Sequence, residues 1–402
     1  MYVYINWQTL VNKPKLAVLT SRFPYPIDKG DKLRLFHQLR DLSKWFDIYL
    51  FALHEAPIIA AHLEKIQPYC KHIATYHLPK THWPAQTLHC LQHNLPLQLG
   101  YFLNKRVRKT MQHEIQQLNP DVLYVQLSRM MPYAEGLPYP KVLDLQDCFS
   151  LNYARAAQHH SGPKAWFYQR ESRTMAQYEK HILNHTDATT IISRFDKDAL
   201  PTQPNSCVVI PNGVDHSYFL PIEKPRTSDL VFVGNLSYQP NQEAVAYLVN
   251  EIMPLLHQQQ PDIRLLIAGA HMPSFMKKWE SNTIQCAGWF NDIRDAYASA
   301  SLFVAPLFSG AGLQNKLLEA MSMGMPCVTT SVVNASLNAA PDRNIVIANN
   351  ANEISHAILH LLKNKDEQTR IGLAARQHIE THFVWESANE KLKQLLQEQI
   401  GV

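Results

Sequence analysis

Short runs of β-branched and aliphatic residues alternate with longer segments of helical spacing along this chain, and that alternation permits few folds. A strand that is apolar on both faces must be covered on both, and a helix between each pair of strands does this. The pattern is that of a parallel sheet sandwiched by helices, an α/β doubly wound architecture. In the first half the strand runs are 16–20, 48–53, 121–127, 142–145, 189–192 and 208–210. The pattern starts again at 230–233 and continues through 264–268, 283–286, 302–305, 327–330 and 345–347. Two sheets are therefore predicted. At 402 residues the chain also exceeds what one hydrophobic core ordinarily serves. Between the halves, Pro211-Asn212-Gly213-Val214-Asp215 and the prolines at 221 and 225 make a turn-rich segment, which places the boundary near 215–228.

Composition removes several functional classes. Hydrophobic residues make up 46%, yet no stretch of about 18 uninterrupted apolar residues occurs, so no membrane span is expected. The start, MYVYINWQTLVNKPK, lacks a charged segment followed by a long apolar run, and secretion is not expected either. A net charge of +4 permits anionic ligands or an anionic membrane surface without demanding nucleic acid, and the chain carries no RNA or DNA motif. Cys70, Cys90, Cys148, Cys207, Cys286 and Cys327 are scattered and never spaced as CxxC, which argues against a zinc knuckle or disulfide framework and for a reducing cytoplasm.

Histidine is abundant, at 20 residues, and pairs spaced i and i+4 occur at His89/His93, His356/His360 and His378/His382. None belongs to an HExxH and no third ligand follows at metal spacing, so no metal site is expected. Asp196-Lys197-Asp198 has the look of a DxD metal site, but Ser193 followed by Asp196 after an apolar strand reads as a helix capping box.

In doubly wound sheets, ligands gather beyond the carboxyl ends of the strands. Two segments there carry chemistry. SGAGLQNKLLEAMSMGMPCVTT, residues 309–330, puts a small-residue turn between a strand and a helix. Leu313, Leu317, Met321 and Gly324 share a packing face, while Lys316 and Glu319 sit three apart on another. Amides at a helix start carry partial positive charge, glycines admit the backbone of a ligand, and a lysine one turn in adds a full charge; an anion fits there and Glu319 suits sugar hydroxyls. An ordinary strand, turn and helix with a surface ion pair stays open as the plain reading. The loop after the first strand, 21–34, combines stiffening prolines, Gly30, and positive charge from Lys29, Lys32 and Arg34, although a solvated turn would also fit. Neither segment is a GxGxxG or a Walker loop, which removes the nicotinamide and P-loop ATP fingerprints.

The two-sheet layout, PNGVD at 211–215, Gly234-Asn235 after a strand, IAGA at 267–270, AGW at 287–289 and the 309–330 segment together resemble the GT-B glycosyltransferases of family four over nearly the whole chain. More narrowly, RFPYPIDKGDKLR at 22–34 and GLQNKLLEAMSMG at 312–324 look like sugar transferases of bacterial exopolysaccharide and exosortase (PEP-CTERM) gene clusters. The resemblance implies two Rossmann-like domains facing a central cleft: an acceptor domain over 1–215, a donor domain over 216–380, and a terminal helix within 381–402 crossing back to the first domain. It also implies that a nucleotide-diphosphate sugar, UDP- or GDP-linked, is bound mainly by the second domain without an essential metal. Glu319 would grip the ribose hydroxyls and Lys316 the diphosphate. Backbone at Gly310, Ala311, Gly312 and Leu313 would meet the diphosphate or sugar, with Gly234 and Asn235 beneath and Gly30 and Asp31 closing from across the cleft.

Departures from the family accompany the match. A second glutamate usually stands eight positions before the first, and here that position is Ala311; many relatives have a basic residue soon after the Gly234 turn, absent here. Relatives often place a histidine after the strand corresponding to 142–145, whereas this chain reads Leu145-Gln146-Asp147-Cys148. Asp147 is the nearest catalytic candidate beside Lys316 and Glu319, orienting an acceptor hydroxyl or steadying positive charge on the donor sugar, or else capping the next helix. The expected activity is retaining hexosyl transfer to a saccharide or polyprenyl-linked acceptor in exopolysaccharide or cell-surface glycan synthesis. A catalytically silent sugar-nucleotide-binding subunit and a sugar-nucleotide epimerase of related shape are the alternatives. Lys164, Arg170, Glu171 and Arg173 are expected on an exposed amphipathic helix. Tyr101, Phe102, Leu103, Lys105, Arg106, Arg108 and Lys109 form the densest aromatic and basic cluster, and either mark peripheral contact with an anionic membrane or bury their aromatics under an exposed helix.

Overall fold

The structure, a computed structural model, describes residues 13–79, 83–158, 160–308 and 312–401. Seven parallel strands form the first sheet: β1 (Lys15–Thr20), β2 (Asp47–His54), β3 (His72–His77), β4 (Val122–Gln126), β5 (Lys141–Gln146), β6 (Ala188–Ile191) and β7 (Cys207–Val209). Six more form the second: β8 (Leu230–Val233), β9 (Leu265–Ala268), β10 (Ile284–Gly288), β11 (Leu302–Ala305), β12 (Cys327–Thr329) and β13 (Val346–Ile347). The orders are β3-β2-β1-β4-β5-β6-β7 and β10-β9-β8-β11-β12-β13, so the same winding is used twice. Leu16 to Leu19 and Leu230 to Phe232 are fully buried, as strands covered on both faces must be. Both domains are thus Rossmann-like α/β units.

The helices that position the site are, in chain order, α1 (Gly30–Leu42), α2 (Trp83–Gln92), α3 (Leu97–Phe102), α4 (Lys105–Leu118), α5 (Phe149–Gln158), α6 (Gly162–Leu183), α7 (Arg194–Asp198), α8 (Gln239–Tyr247), α9 (Ile293–Ala298), α10 (Asn315–Ser322) and α11 (Trp385–Ile400). Local chemistry sets several starts. The Asn104 side chain accepts from the Arg106 and Val107 amides at the head of α4, and Ser193 accepts from the Asp196 amide at the head of α7, the capping read from sequence.

One strand, β3, was not among the sequence-predicted runs. HIATYH pairs only with β2, at the sheet edge, and five of its six residues are exposed or half-buried, so it lacks the apolar run that marks its neighbours. The tail returns to the first domain. In α11, Ala388, Leu392, Leu395 and Leu396 join Leu16, Val18 and Leu35 in one core, and Asn389 Nδ2 donates to His37 O (3.1 Å) and Asp41 Oδ2 (2.7 Å). Trp385 stacks on His37 with ring centroids 4.6 Å apart. The chain therefore crosses between domains twice, side by side: Val214 donates to Phe383 O at 2.8 Å.

Candidate functional site

Each sheet reverses its winding once, between β1 and β4 and between β8 and β11, and a crevice is expected beyond those strand ends. The loops that follow them meet. A cavity of about 360 Å³ lies between the domains, lined by Gly30, Asp31, Gln146, Asp147 and Asn212 on one side and by Tyr238, Gly312, Leu313, Gln314 and Asn315 on the other. The starts of α1 and α10 face each other here: a Cβ added at Gly30 would lie 3.8 Å from Asn315 Nδ2. Neither start has a side-chain cap, so their amides and the positive ends of both helices remain available to an anion.

Beside this cavity lies the second-domain cluster. Lys316 lays its stem over Gly234, whose added Cβ would be 3.2 Å from Lys316 Cε, and its Nζ donates to Gln314 Oε1 at 2.6 Å. Burial lowers the ammonium to about 8, against the pull of Glu319. Burial likewise pushes the Glu319 carboxyl up to about 7, opposed by Tyr297, whose hydroxyl lies 2.7 Å from Glu319 Oε2, and by Lys316. Gly234 is pressed from the other side by Gly269, which has φ +136° and whose Cβ would fall 1.8 Å from Gly234 O. Asn235 spends its side chain within the turn, accepting from the Ser237 amide and hydroxyl, while its carbonyl accepts from Asn241 Nδ2.

Asp147 reaches the cleft because β5 ends irregularly. The register against β6 shifts between Asp144 and Gln146, and Gln146 has φ +65°. Asp147 Oδ1 is buried with no hydrogen-bond partner, and a Cβ on Gly312 would come within 2.7 Å of it, so any side chain at 312 would have to displace the carboxylate. The cap expected as its other role is not made: the Phe149 and Ser150 amides that such a cap would take go to Glu179 instead. Burial, then the neighbouring Asp196, raises the Asp147 carboxyl to about 7; Arg34 opposes and Asp144 adds to the rise.

The free positive charge expected of the first loop is corrected at Arg34 and Lys32. Arg34 is not a ligand-facing cation. It is fully buried, forks onto Asp144 (Nε to Oδ2 2.8 Å, Nη2 to Oδ1 3.1 Å), and donates to Ile210 O and Asn212 Oδ1. Asn212 in turn donates to Asn315 Oδ1 at 3.3 Å, which ties this network to α10 across the cleft. Asp31 lines the cavity but receives Arg22 (2.6 Å) and Arg129 (3.3 Å); burial works to raise its carboxyl, and the two arginines more than offset this. Lys32 is paired with Asp28. Gly310 and Ala311 lie outside the described residues.

The aromatic and basic cluster at 101–109 divides. Phe102 is buried beneath the Arg129 and Arg22 guanidiniums, Leu103 lines a separate cavity, and the basic residues from Lys105 onward sit on α4, where Arg108 pairs with Glu135. In α6, Trp166 and Phe167 are exposed, but Glu171 is not: it is buried, accepting from the Leu97 amide and pairing with Arg170. Arg129, Tyr238, Asn315 and Tyr297 were not singled out from sequence. Arg129 lies 98 positions from Asp31, Asn315 103 from Asn212 and Tyr297 22 from Glu319, so none shares a local spacing with its partner, and only the strand-end positions of Arg129 and Tyr238 gave a signal. Among the described residues no group of three or more His, Cys, Asp or Glu stands together to hold a metal, and no helix is long and apolar enough to cross a membrane.

Comparison with known proteins agrees with this geometry. Residues 227–364 match the family model described as Glycosyl transferases group 1. An uncharacterized 44.6 kDa protein in the cps region of Klebsiella pneumoniae is 22% identical over 92% of this chain and 96% of its own length. A GDP-mannose-dependent monoacylated alpha-(1-6)-phosphatidylinositol monomannoside mannosyltransferase of Corynebacterium glutamicum is 24% identical over 54% of this chain and 64% of its own. Among solved structures, sucrose-phosphate synthase from Thermosynechococcus elongatus superposes with a TM-score of 0.70 at 16% identity, covering 96% of this chain and 99% of that one. Anabaena HepE in complex with UDP and glucose gives 0.66 at 13%, covering 94% and 98%. The group 1 glycosyltransferase match thus lies over the cluster of Gly234, Tyr297, Lys316 and Glu319, and the two-domain GT-B fold is shared along nearly the whole chain.

Proposed function

We propose that the chain transfers a hexose from a nucleotide-diphosphate sugar to a saccharide or lipid-linked saccharide, with retention at the anomeric carbon. The observation that carries this reading is the pair Lys316 and Glu319 in the first turn and a half of α10, with Lys316 over Gly234 and Glu319 held by Tyr297, beside the place where Asn315 meets the start of α1. Glu319 receives the ribose hydroxyls, and Lys316 with the α10 amides receives the diphosphate. In the transfer, the acceptor hydroxyl oxygen bonds to the anomeric carbon, the bond from that carbon to the diphosphate breaks, and the hydroxyl proton leaves on the diphosphate oxygen. Donors aimed at a developing negative charge are worth roughly 10²–10³ in rate each, so leaving-group stabilisation supplies much of the catalysis without a metal. Asp147, beside Gly312, accepts from a hydroxyl and steadies the positive charge that builds on the sugar.

The donor domain would span 216–380 and the acceptor domain 1–215, braced by 381–402. HepE was solved with UDP and glucose, and the Corynebacterium relative is named for GDP-mannose, so both nucleotides are tested. The Klebsiella relative lies in a cps region, which supports exopolysaccharide or surface-glycan synthesis, and six free cysteines suit a reducing cytoplasm. A thermal-shift panel of UDP-glucose, UDP-galactose and GDP-mannose should give one clear stabiliser, with label transferred to a polyprenyl-linked or free saccharide. Glu319→Ala should weaken that donor at least about tenfold, the loss of one charged hydrogen-bonding group. Unchanged donor binding in this variant would refute the site.

A further inference from the structure

The first domain holds a second and larger hollow, of about 850 Å³, which shares no lining residue with the cleft. It lies along α6, between the α2 and α3 pair and the segment 131–141. Lys141 opens β5 here, whereas Asp147 follows the other end of that strand, about 20 Å away at the usual rise of a strand. The hollow is therefore remote from the reacting groups.

Its walls are tied to one another. A Cβ added at Gly100 would fall 2.9 Å from Gln86 O and 3.0 Å from Cys90 Sγ, so α3 packs on α2 at backbone distance. Arg170 of α6 donates to Leu95 O at 3.2 Å, which anchors the turn between those two helices. The Tyr133 hydroxyl, on the short helix Met131–Ala134, donates to Phe102 O (2.8 Å) and accepts from the Asn104 amide (3.0 Å). From α6 the Tyr178 hydroxyl donates to Ser128 O at 3.2 Å. Loosely held helices close on a void between them, and these ties hold this one open.

The lining is divided by polarity. Leu95, Leu99, Leu103, Met131, Leu137 and Ile182 make it mainly apolar. Next to Leu137 stands Lys141, whose ammonium donates to Leu137 O (2.7 Å) and Tyr139 O (3.0 Å), which places two of its three protons on carbonyls. Asp187 accepts from the Lys141 backbone amide (2.8 Å) rather than from the ammonium, and burial keeps that ammonium below its ordinary value despite the nearby charge. Arg108 adds a second cation. Among the described lining residues Glu135 is the one carboxylate, and it is already shared by Arg108 (3.7 Å) and His181 (3.4 Å). Water finds few partners on such walls, and a saccharide would leave hydroxyls unpaired against them. A neutral apolar molecule would leave Lys141 without a counter-charge.

We propose that this hollow binds a fatty carboxylate, with its chain along Leu99, Leu103 and Ile182 and its carboxylate on Lys141 and Arg108. It is a second ligand site, separate from the transfer cleft and independent of how that cleft is read. One bound chain joins the α2 and α3 pair to α6 through apolar contact as well as through hydrogen bonds.

The full chain is titrated by calorimetry with decanoate, decanol and butyrate. Decanoate should bind one per chain and at least about tenfold more tightly than either of the others, because decanol lacks the charge and butyrate most of the apolar contact. Lys141→Gln keeps a donor for the two carbonyls and removes the charge; it should weaken decanoate about tenfold and leave decanol unchanged. Ile182→Trp, which puts a ring into the hollow, should abolish decanoate binding while UDP binds as before. Should that variant fail to fold, Lys141→Gln and the three probes decide by themselves. Decanol binding as tightly as decanoate overturns the proposal, since the charge would then go unread. So does decanoate that UDP displaces, which would put it in the cleft, or decanoate that exceeds one per chain and survives Ile182→Trp, which would be coating of the surface.

Discussion

Burial sets the protonation of the cleft before any ligand arrives. Lys316 is charged below about 8 in the free protein, so UDP affinity should fall as pH rises beyond 8, and titration calorimetry at pH 7 and 9 would show it. A flat profile would mean that the ammonium is not what the diphosphate meets. Asp147 gives the opposite kind of prediction, one of stability. Its carboxyl titrates near 3.8 when unfolded and near 7 when folded, so between those values the native state keeps a proton that the unfolded chain releases. Its contribution therefore falls as pH rises through that window, by on the order of 2 kcal/mol at completion after allowing for relaxation of the site. Asp147→Asn should flatten this part of the curve and be more stable than the parent at pH 8, in urea unfolding at pH 5 and 8; an unchanged slope would refute the assignment. Single residues were legible unevenly. Lys316 and Glu319 stood out because a helix period places them together. Arg34 misled, because it shares a charged string with Lys29 and Lys32 while its partner, Asp144, is 110 positions away.

Glycines govern how closely the elements meet. Gly269 ends β9 with φ +136° and would put a Cβ 1.8 Å from Gly234 O, so Gly269→Ala must part the two strand ends beneath Lys316. The cost should exceed about 3 kcal/mol, combining backbone strain with overpacking. Gly136 has φ +82° and nothing within 4 Å of the added atom, so Gly136→Ala should cost only about 1 kcal/mol. Chemical denaturation of the two variants side by side checks the contrast, and equal losses would show that the packing at Gly269 is looser than described. Strands such as β1 and β8 could be read directly because a doubly covered strand is apolar along its length. Edge strand β3 could not, since half-solvated residues carry no such mark. The end of β5 was legible as a strand, but not the shift and positive φ that turn Asp147 into the cleft; side-chain type does not encode them.

At the scale of the molecule, two sheets wound alike were visible as one alternation begun twice, whereas the site between them was only half visible. Its walls come from strand ends hundreds of residues apart, and Tyr297 beside Glu319, like Asn212 beside Asn315, has no local signature. The clasp made by α11 is the other long-range feature. Trp385 is 2% exposed, stacked on His37 and pressed against the Gly213 backbone, so Trp385→Ala should cost about 3–5 kcal/mol, the usual range for a buried large aromatic. Urea unfolding followed by circular dichroism would measure it, and a loss below about 1 kcal/mol would mean the helix holds without its ring. The return of α11 also orders events during synthesis. Leu16, Val18 and Leu35 need Leu392 and Leu396 to complete their core, and the entire second domain is translated in between. At roughly 5–20 residues per second, the first domain must wait on the order of ten seconds or more with that face uncovered. A nascent chain halted before α11 should therefore present a sticky first domain beside a finished second one, and it is there that a chaperone would find its grip.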